Sequence, residues 1–271
     1  MDYRTYEVCP GLNDFVKCFW TLEAPAEACP QKQRIVPDGC MEMIFHHGDP
    51  YRQYKADGSA ILQPACFVFG QITTTLDIAP TGASGIFAAR FFPESFTPFA
   101  TMPLQAMENR AVPLEALFGA AGLELERQVL QAADTKERIK TTETFLQKQL
   151  SDPCAIDRVV RSGVSLMLGD NGQRSVADLS KQMNINRRQL ERRFASVIGL
   201  SPKQLARIIR LQAALRLMLS NQYTSLTELA HEGAYYDQAH FIKDFKEFTG
   251  MSPKKFYEGH LKLSAFFHAA G

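Results

Sequence analysis

Two stretches in the last hundred residues carry side chains able to read the edges of base pairs. Asn186-Arg-Arg-Gln-Leu-Glu-Arg-Arg-Phe194 sets Arg187, Arg188, Gln189, Glu191, Arg192 and Arg193 around an apolar stripe of Leu190 and Phe194. Asp237-Gln-Ala-His-Phe-Ile-Lys-Asp-Phe245 sets Gln238, His240, Lys243 and Lys246 around Phe241 and Phe245. An arginine fork can bond guanine bidentately, glutamine can bond adenine, and glutamate can accept from cytosine N4. On one isolated helix such residues would be an ordinary solvated face. Their recurrence in two copies at a fixed interval argues for a shared task.

Other residue types invite other chemistry and are weighed against it. His46-His47, with Asp38, Glu42 and Asp49 nearby, suggests the metal site of a cupin-type enzyme. Adjacent residues of a strand point to opposite faces, which argues against a metal shared by the two histidines, so no metal or other cofactor is expected. The pair reads instead as a strand end running into the turn His47-Gly48-Asp49-Pro50. Arg90 sits in an apolar stretch and is expected to pair with an internal acid rather than an anionic effector. Phe15, Phe19 and Trp20 are read as core rather than as a ligand pocket. The six cysteines, Cys9, Cys18, Cys29, Cys40, Cys66 and Cys154, form no CxxC pair and are read as free, largely buried thiols. No GxSxG, HExxH, Walker A or GxGxxG pattern occurs, so no catalytic residue is assigned and a non-enzymatic chain is expected. A metal-dependent cupin-type enzyme domain fused to a DNA-binding domain is the alternative.

The elements that must position these residues fall into two textures. The first hundred residues are punctuated by proline and glycine, with short apolar runs at Phe15 to Trp20, Met41 to Phe45, Cys66 to Phe69 and Ile86 to Phe92. Such runs, rich in aromatic and β-branched residues, predict strands. Pro37-Asp38-Gly39 predicts a turn, because proline fixes φ and glycine permits positive φ. From Pro113 onward the apolar spacing is helical. The expected fold class is therefore α+β. Residues 1–150 form a mostly antiparallel β barrel or sandwich with trailing helices, and residues 151–271 an all-α domain, divided at Ser151-Asp152-Pro153. No apolar run is long enough for a membrane helix and no signal-type stretch opens the chain, so a cytoplasmic protein is expected.

The all-α half is an internal repeat. Gly-x-Ser-Pro-Lys follows each polar-faced helix, at Gly199–Lys203 and Gly250–Lys254, so that glycine ends one helix and Ser-Pro starts the next. A shorter helix precedes each, at Ser175-Val-Ala-Asp-Leu179-Ser180 and at Ser225-Leu-Thr-Glu-Leu229-Ala230. Helix, tight turn and capped polar helix make the sequence form of a helix-turn-helix. Pro202 to Leu219 reads as one long connecting helix, able to hold two such helices about one DNA turn apart. Charge follows the same division. Residues 1–150 hold 13 Lys+Arg and 18 Asp+Glu, whereas residues 151–271 hold 17 and 11, which suits a polyanionic partner for the second half.

Residues Asp157 to Tyr257 resemble the AraC/XylS family of transcription regulators. The resemblance rests on Ser175-Val-Ala-Asp-Leu179, Arg187 to Phe194, Gly199-Leu-Ser-Pro202, Arg210-Leu-Gln-Ala-Ala214, and Asp237-Gln-Ala-His-Phe241 through Phe245 to Pro253. It implies two helix-turn-helix units on double-stranded DNA, with base-facing positions at Arg188, Glu191 and Arg192, then Gln238, His240 and Lys243. One departure lies in the second turn, where Ala234 replaces the family's usual glycine, and the turn is expected to shift so that Gly233 takes the left-handed conformation. Asn184 fills the matching place in the first unit. The first half more loosely resembles an N-terminal β domain of one subgroup, through Leu12 to Trp20, Ile35-Val-Pro-Asp-Gly39, Phe69 to Thr73 and Phe87 to Pro93. That resemblance implies a cupin-like or related domain for sensing a small-molecule effector or for dimerisation. A homodimer and RNA polymerase are the further partners it leaves open.

Overall fold

Side-chain alternation, more than run length, organises the first half of the computed structural model, which describes residues 1–55, 57–150, 156–220, 225–233 and 235–259. The Ser151-Asp152-Pro153 boundary, Cys154 and Ala234 lie outside the described residues. Among the described residues ten strands form: β1 (Asp2–Tyr6), β2 (Val16–Ala24), β3 (Gln33–Ile35), β4 (Glu42–His46), β5 (Tyr51–Tyr54), β6 (Ala60–Leu62), β7 (Cys66–Phe69), β8 (Leu76–Pro80), β9 (Ser84–Phe91) and β10 (Ala111–Pro113). They make two separate antiparallel sheets, one ordered β1-β2-β9-β4-β7-β10 and the other β3-β8-β5-β6, so of the two expected forms it is the sandwich rather than the closed barrel.

The large sheet is buried on both faces. Phe19, Met43, Phe45, Val68, Phe87 and Phe91 join one apolar cluster with the helices that follow the sheet. The alternate residues Trp20, Leu22, Ile44, Phe67, Phe69 and Ile86 face the small sheet. A strand with two buried faces reads as a continuous apolar run, which is why β2, β7 and β9 are conspicuous in the sequence. The Pro37-Asp38-Gly39 turn leads into β4, with Gly39 at φ +82. Helices α1 (Leu114–Phe118), α2 (Ala120–Gln131) and α3 (Thr135–Gln149) cover the large sheet as a third layer, with Leu114, Leu125, Val129 and Leu146 inward.

The second half is α4 (Arg158–Gly169), α5 (Val176–Gln182), α6 (Arg187–Ile198), α7 (Pro202–Ser220), α8 (Leu226–Glu232), α9 (Gln238–Thr249) and α10 (Pro253–Gly259). Its core runs through all of them, from Val160 and Phe194 to Phe241, Phe245 and Phe256, and takes in Val36 from the first half. The two halves are also joined by hydrogen bonds. Thr97 Oγ1 donates to the Val197 carbonyl at 2.7 Å and Gln105 donates to the Ala195 carbonyl, both at the C-terminal end of α6. Arg34 Nη1 donates to the Thr249 carbonyl at 2.9 Å, at the same end of α9. Gln212 of α7 donates to the Pro37 carbonyl at 2.6 Å.

Among the described residues no helix is long and apolar enough to cross a membrane. The five described cysteines are free; Cys18 and Cys66 are buried, Cys9 and Cys40 half-buried and Cys29 exposed.

Candidate nucleic-acid interface

Each of the two polar-faced helices is built by the same local devices. The side chain of Asn186 accepts from the Arg188 N–H at 2.8 Å, and that of Asp237 from the His240 N–H at 2.7 Å, satisfying donors that a helix start leaves open. Gly199 at φ +85 and Gly250 at φ +71 end α6 and α9 in the left-handed region. The shorter helices are capped alike, with Ser175 accepting from Asp178 N–H and Ser225 from Glu228 N–H. Ser180 donates across the first turn to the Ile185 carbonyl at 2.6 Å.

The two turns differ. Asn184 takes φ +49, the left-handed conformation expected there. Gly233 does not: its φ is −76, so the expected shift of the left-handed position onto Gly233 is corrected. A Cβ at Gly233 would meet the Leu229 carbonyl oxygen at 2.8 Å and Ala214 Cβ at 3.2 Å. Glycine is therefore required by the close approach of the Leu229 carbonyl of α8, with Ala214 of α7 next nearest, and not by its backbone angle.

Leu190, Phe194, Phe241 and Phe245 are completely buried, which fixes the outward faces of α6 and α9. On α6, Arg188 and Arg192 are exposed one helical turn apart. Glu191 is half-exposed and held by Arg187 at 3.0 Å. On α9, Lys243 is exposed, Gln238 lies 3.1 Å from Thr227 Oγ1, and His240 stands edge-on to Tyr235 with Nε2 3.7 Å from Asp244. Among the described residues no ion pair engages Arg188, Arg192 or Lys243. The structure thus leaves three of the six base-facing candidates unengaged and gives the other three internal neighbours.

Three features escaped the sequence reading. Arg193, grouped there with the outer face, ties α6 to the N-cap of α4 through Asp157 at 2.6 Å. Asp244 is buried and takes a forked pair from Arg207 of α7 at 3.0 and 3.2 Å, locking the second polar helix to the connecting helix. The hydrogen bonds that Arg207 donates to Glu247 and Asp244 hold its pKa well above the usual range, against the lowering effect of burial. Tyr236, 92% exposed immediately before the Asp237 cap, adds an aromatic ring to the start of α9. The connecting helix α7 has 19 residues, about 28 Å at 1.5 Å per residue.

The first half holds a second site. A cavity of about 90 Å³ lies between the two sheets, walled by Trp20, Leu22, Ile44 and Ile86, with Arg34 and Gln212 at its border. Arg90, 4% exposed, has the internal acids expected of it: it donates to Asp38 and approaches Glu42 at 3.4 Å. Burial opposes the charge of Arg90, yet Asp38 and Glu42 hold its guanidinium well above the usual range. Burial raises the pKa of Glu42, against the pull of Arg90 and of a Trp20 Nε1–H bond at 3.1 Å.

His46 and His47 are separated, as strand geometry requires. His46 lines the cavity and stacks on Tyr51, whereas His47 Nε2 lies 3.2 Å from Glu23. Among the described residues no three His, Cys, Asp or Glu are grouped to hold a metal ion. Burial lowers the pKa of His46 to about 4; Gln63 opposes the shift without reaching hydrogen-bond geometry at either ring nitrogen. An unfolded histidine titrates near 6.5, so between that value and about 4 only the unfolded state gains the proton. The stability contributed by neutral His46 is present above pH 6.5 and lost on acidification through this window. His47 shifts the same way and Glu42 the opposite way, so the test is a difference. The unfolding free energy of wild type minus that of His46→Asn is expected to fall by about 2 kcal/mol between pH 7.5 and 4.5 in denaturant titrations. A constant difference would show that His46 titrates normally.

These two sites divide the chain between a helical half that presents two capped polar helices and a β half that encloses a cavity. Residues 179–259 match the family model of a helix-turn-helix domain, and residues 4–113 match that of a domain of unknown function, DUF6597. With two capped units joined by α7, the C-terminal part is a helix-turn-helix domain. The chain is 31% identical over 81 residues to the Msm operon regulatory protein of Streptococcus mutans, covering 30% of this chain and 29% of that protein. It is 38% identical over 73 residues to the HTH-type transcriptional regulator MtrA of Neisseria gonorrhoeae, covering 27% and 24%. The matches thus span less than a third of these relatives' length. Among solved structures, ToxT from Vibrio cholerae aligns over 89% of this chain and 98% of its own, at 12% identity and a TM-score of 0.49.

Proposed function

We propose that this chain is a sequence-specific transcription regulator. Its α6 and α9 enter successive major grooves of double-stranded DNA, and its first half, residues 1–150, binds a small-molecule effector. The observation that carries the reading is the duplicated, capped polar helix, each copy anchored by two buried large side chains and joined to the other by one rigid strut. Both regulatory relatives align over part of this chain, and they support the same reading. Arg188, Glu191, Arg192, Gln238, His240 and Lys243 are the proposed base-facing residues, and backbone N–H groups at the starts of α6 and α9 the phosphate contacts. Within this reading the protein works in the cytoplasm without a catalytic step. RNA polymerase is its downstream partner, and a second copy of the chain the partner of the first half.

The test is a binding titration of the full chain on DNA from upstream of its own gene and on random DNA, at two salt concentrations. Preference for the upstream DNA by roughly a thousandfold, with a steep loss at higher salt, is expected. Failure to bind any DNA at low salt would overturn the reading.

A further inference from the structure

The cavity between the two sheets has an unbalanced charge at one end. Arg90 is the cation there, and two carboxylates, Asp38 and Glu42, close on it from β4 and the turn before it. The other arginine at the border, Arg34, is committed to Asp77 by two 2.6 Å hydrogen bonds and adds no spare positive charge. Asp38 and Glu42 are half-buried and share one buried cation, so this end carries two carboxylates to one guanidinium and a second cation would balance it. Burial and the neighbouring Asp38 raise the pKa of Glu42 even against Arg90 and Trp20. Beside it stand the rings of Trp20 and Tyr3, with centroids 5.7 Å apart, and aromatic faces attract cations.

The rest of the wall is largely apolar, with Gln33, Tyr51, Gln63 and His46 among its polar residues. His46 is 5% exposed and lines the cavity with both ring nitrogens lacking a hydrogen-bond partner. It lies four residues beyond Glu42 on the same face of β4, roughly 13 Å along the strand at 3.3 Å per residue. A buried neutral imidazole left without a partner marks a place where a ligand or water completes the bonding. A carboxylate ligand would deepen the excess of negative charge beside Glu42, whereas an ammonium group cancels it.

We infer that the inter-sheet cavity binds a compact organic cation, with its charged head at Asp38 and Glu42 against Trp20 and its apolar body directed between Ile44 and Ile86. This names the ligand class for the effector site proposed above, and rests on that reading. The walls also explain how occupancy would reach the helical half. Arg34 bonds the end of α9, and Gln212 of α7 bonds Pro37, next to Asp38.

The chain has a single tryptophan, and it is Trp20. Its fluorescence therefore reports on this cavity alone. The full-length protein would be titrated at pH 7.5 and constant ionic strength with n-butylammonium, 1-butanol and butyrate, which share an alkyl body and differ in charge. A saturable change in Trp20 emission with a rise in Tm is expected for n-butylammonium, at least tenfold tighter than for 1-butanol, and none for butyrate. Glu42→Gln, which keeps the acceptor for Trp20 and removes the excess charge, is expected to erase that tenfold preference. Asp38→Asn serves the same purpose should Glu42→Gln fail to fold. Butyrate binding as tightly as n-butylammonium would overturn the cation assignment while leaving effector binding standing. Absence of any saturable response to n-butylammonium up to 100 mM would overturn the assignment too, and the DNA titration, run on the same preparation, reports separately on the regulator reading.

Discussion

Arg192→Ala is expected to weaken binding to the target DNA by about 1–3 kcal/mol, roughly 5- to 150-fold, while leaving binding to random DNA nearly unchanged. The magnitude is that of one bidentate base contact. Arg192 is exposed, stands one turn after Arg188 on the face opposite buried Phe194, and has no carboxylate in ion-pair distance among the described residues. Its guanidinium is therefore free for a ligand, and its loss leaves no buried partner behind, so stability should change by less than about 0.5 kcal/mol. Arg193→Ala is the matched control, because Arg193 is spent on Asp157. It is expected to loosen α4 against α6 and lower Tm while keeping the ratio of target to random DNA. Measuring that ratio for both variants separates a reading residue from a bracing one. An unchanged ratio for Arg192→Ala would remove Arg192 from the interface.

The contrast between these neighbouring arginines marks how far sequence carries. Periodicity and caps describe a helix in terms of residues three to eight apart, so Leu190, Phe194, Asn186 and Gly199 were legible, as were their counterparts fifty-one residues on. Whether an outward arginine is free depends on what another helix brings beside it. Asp157 lies 36 positions before Arg193, and Asp244 lies 37 after Arg207. No local pattern encodes those distances. Gly233 combines both kinds of constraint, the Leu229 carbonyl four residues before it and Ala214 on α7, and only the first is local in sequence.

The β half was legible where strands are buried on both faces and hidden where they are not. The strands β1, β3, β6 and β10 lie at the sheet edges, and none of them is fully buried. With three to five residues each, they offer too few positions for alternation to stand out. The cavity was invisible because it belongs to neither sheet alone. Trp20 was read as core, and in packing terms it is, being 3% exposed. Arg90 was given an internal acid correctly, but its identity follows only from the register that sets Glu42 opposite Arg90 across β4 and β9.

That register leads to the larger stability effect. Arg90→Met is expected to destabilise the protein by about 3–5 kcal/mol, because it strands two carboxylates at the edge of an apolar cavity while keeping the volume of the side chain. At roughly 2–4 °C per kcal/mol, Tm should fall by about 10 °C. The cost lies in the partners left behind more than in the lost contact, which makes a specific rescue possible. Combining Arg90→Met with Asp38→Asn and Glu42→Gln removes every charge of the group. It keeps an acceptor for the Cys40 N–H, which Asp38 now binds at 2.9 Å, and for the indole of Trp20. The triple variant should regain most of the loss, since replacing a buried ionic group by neutral side chains of similar size is often close to neutral. Acid should help the single variant as well. Without Arg90 the Glu42 carboxyl loses the larger of the two influences lowering its pKa, so it takes up a proton more readily in the folded state, and the deficit against wild type should narrow between pH 7.5 and 5. Denaturant titrations followed by Trp20 emission at both pH values measure all three quantities. A cost below about 1 kcal/mol for Arg90→Met, or a triple variant no better than the single one, would mean that Asp38 and Glu42 do not depend on Arg90 and that the cavity end holds no excess of negative charge.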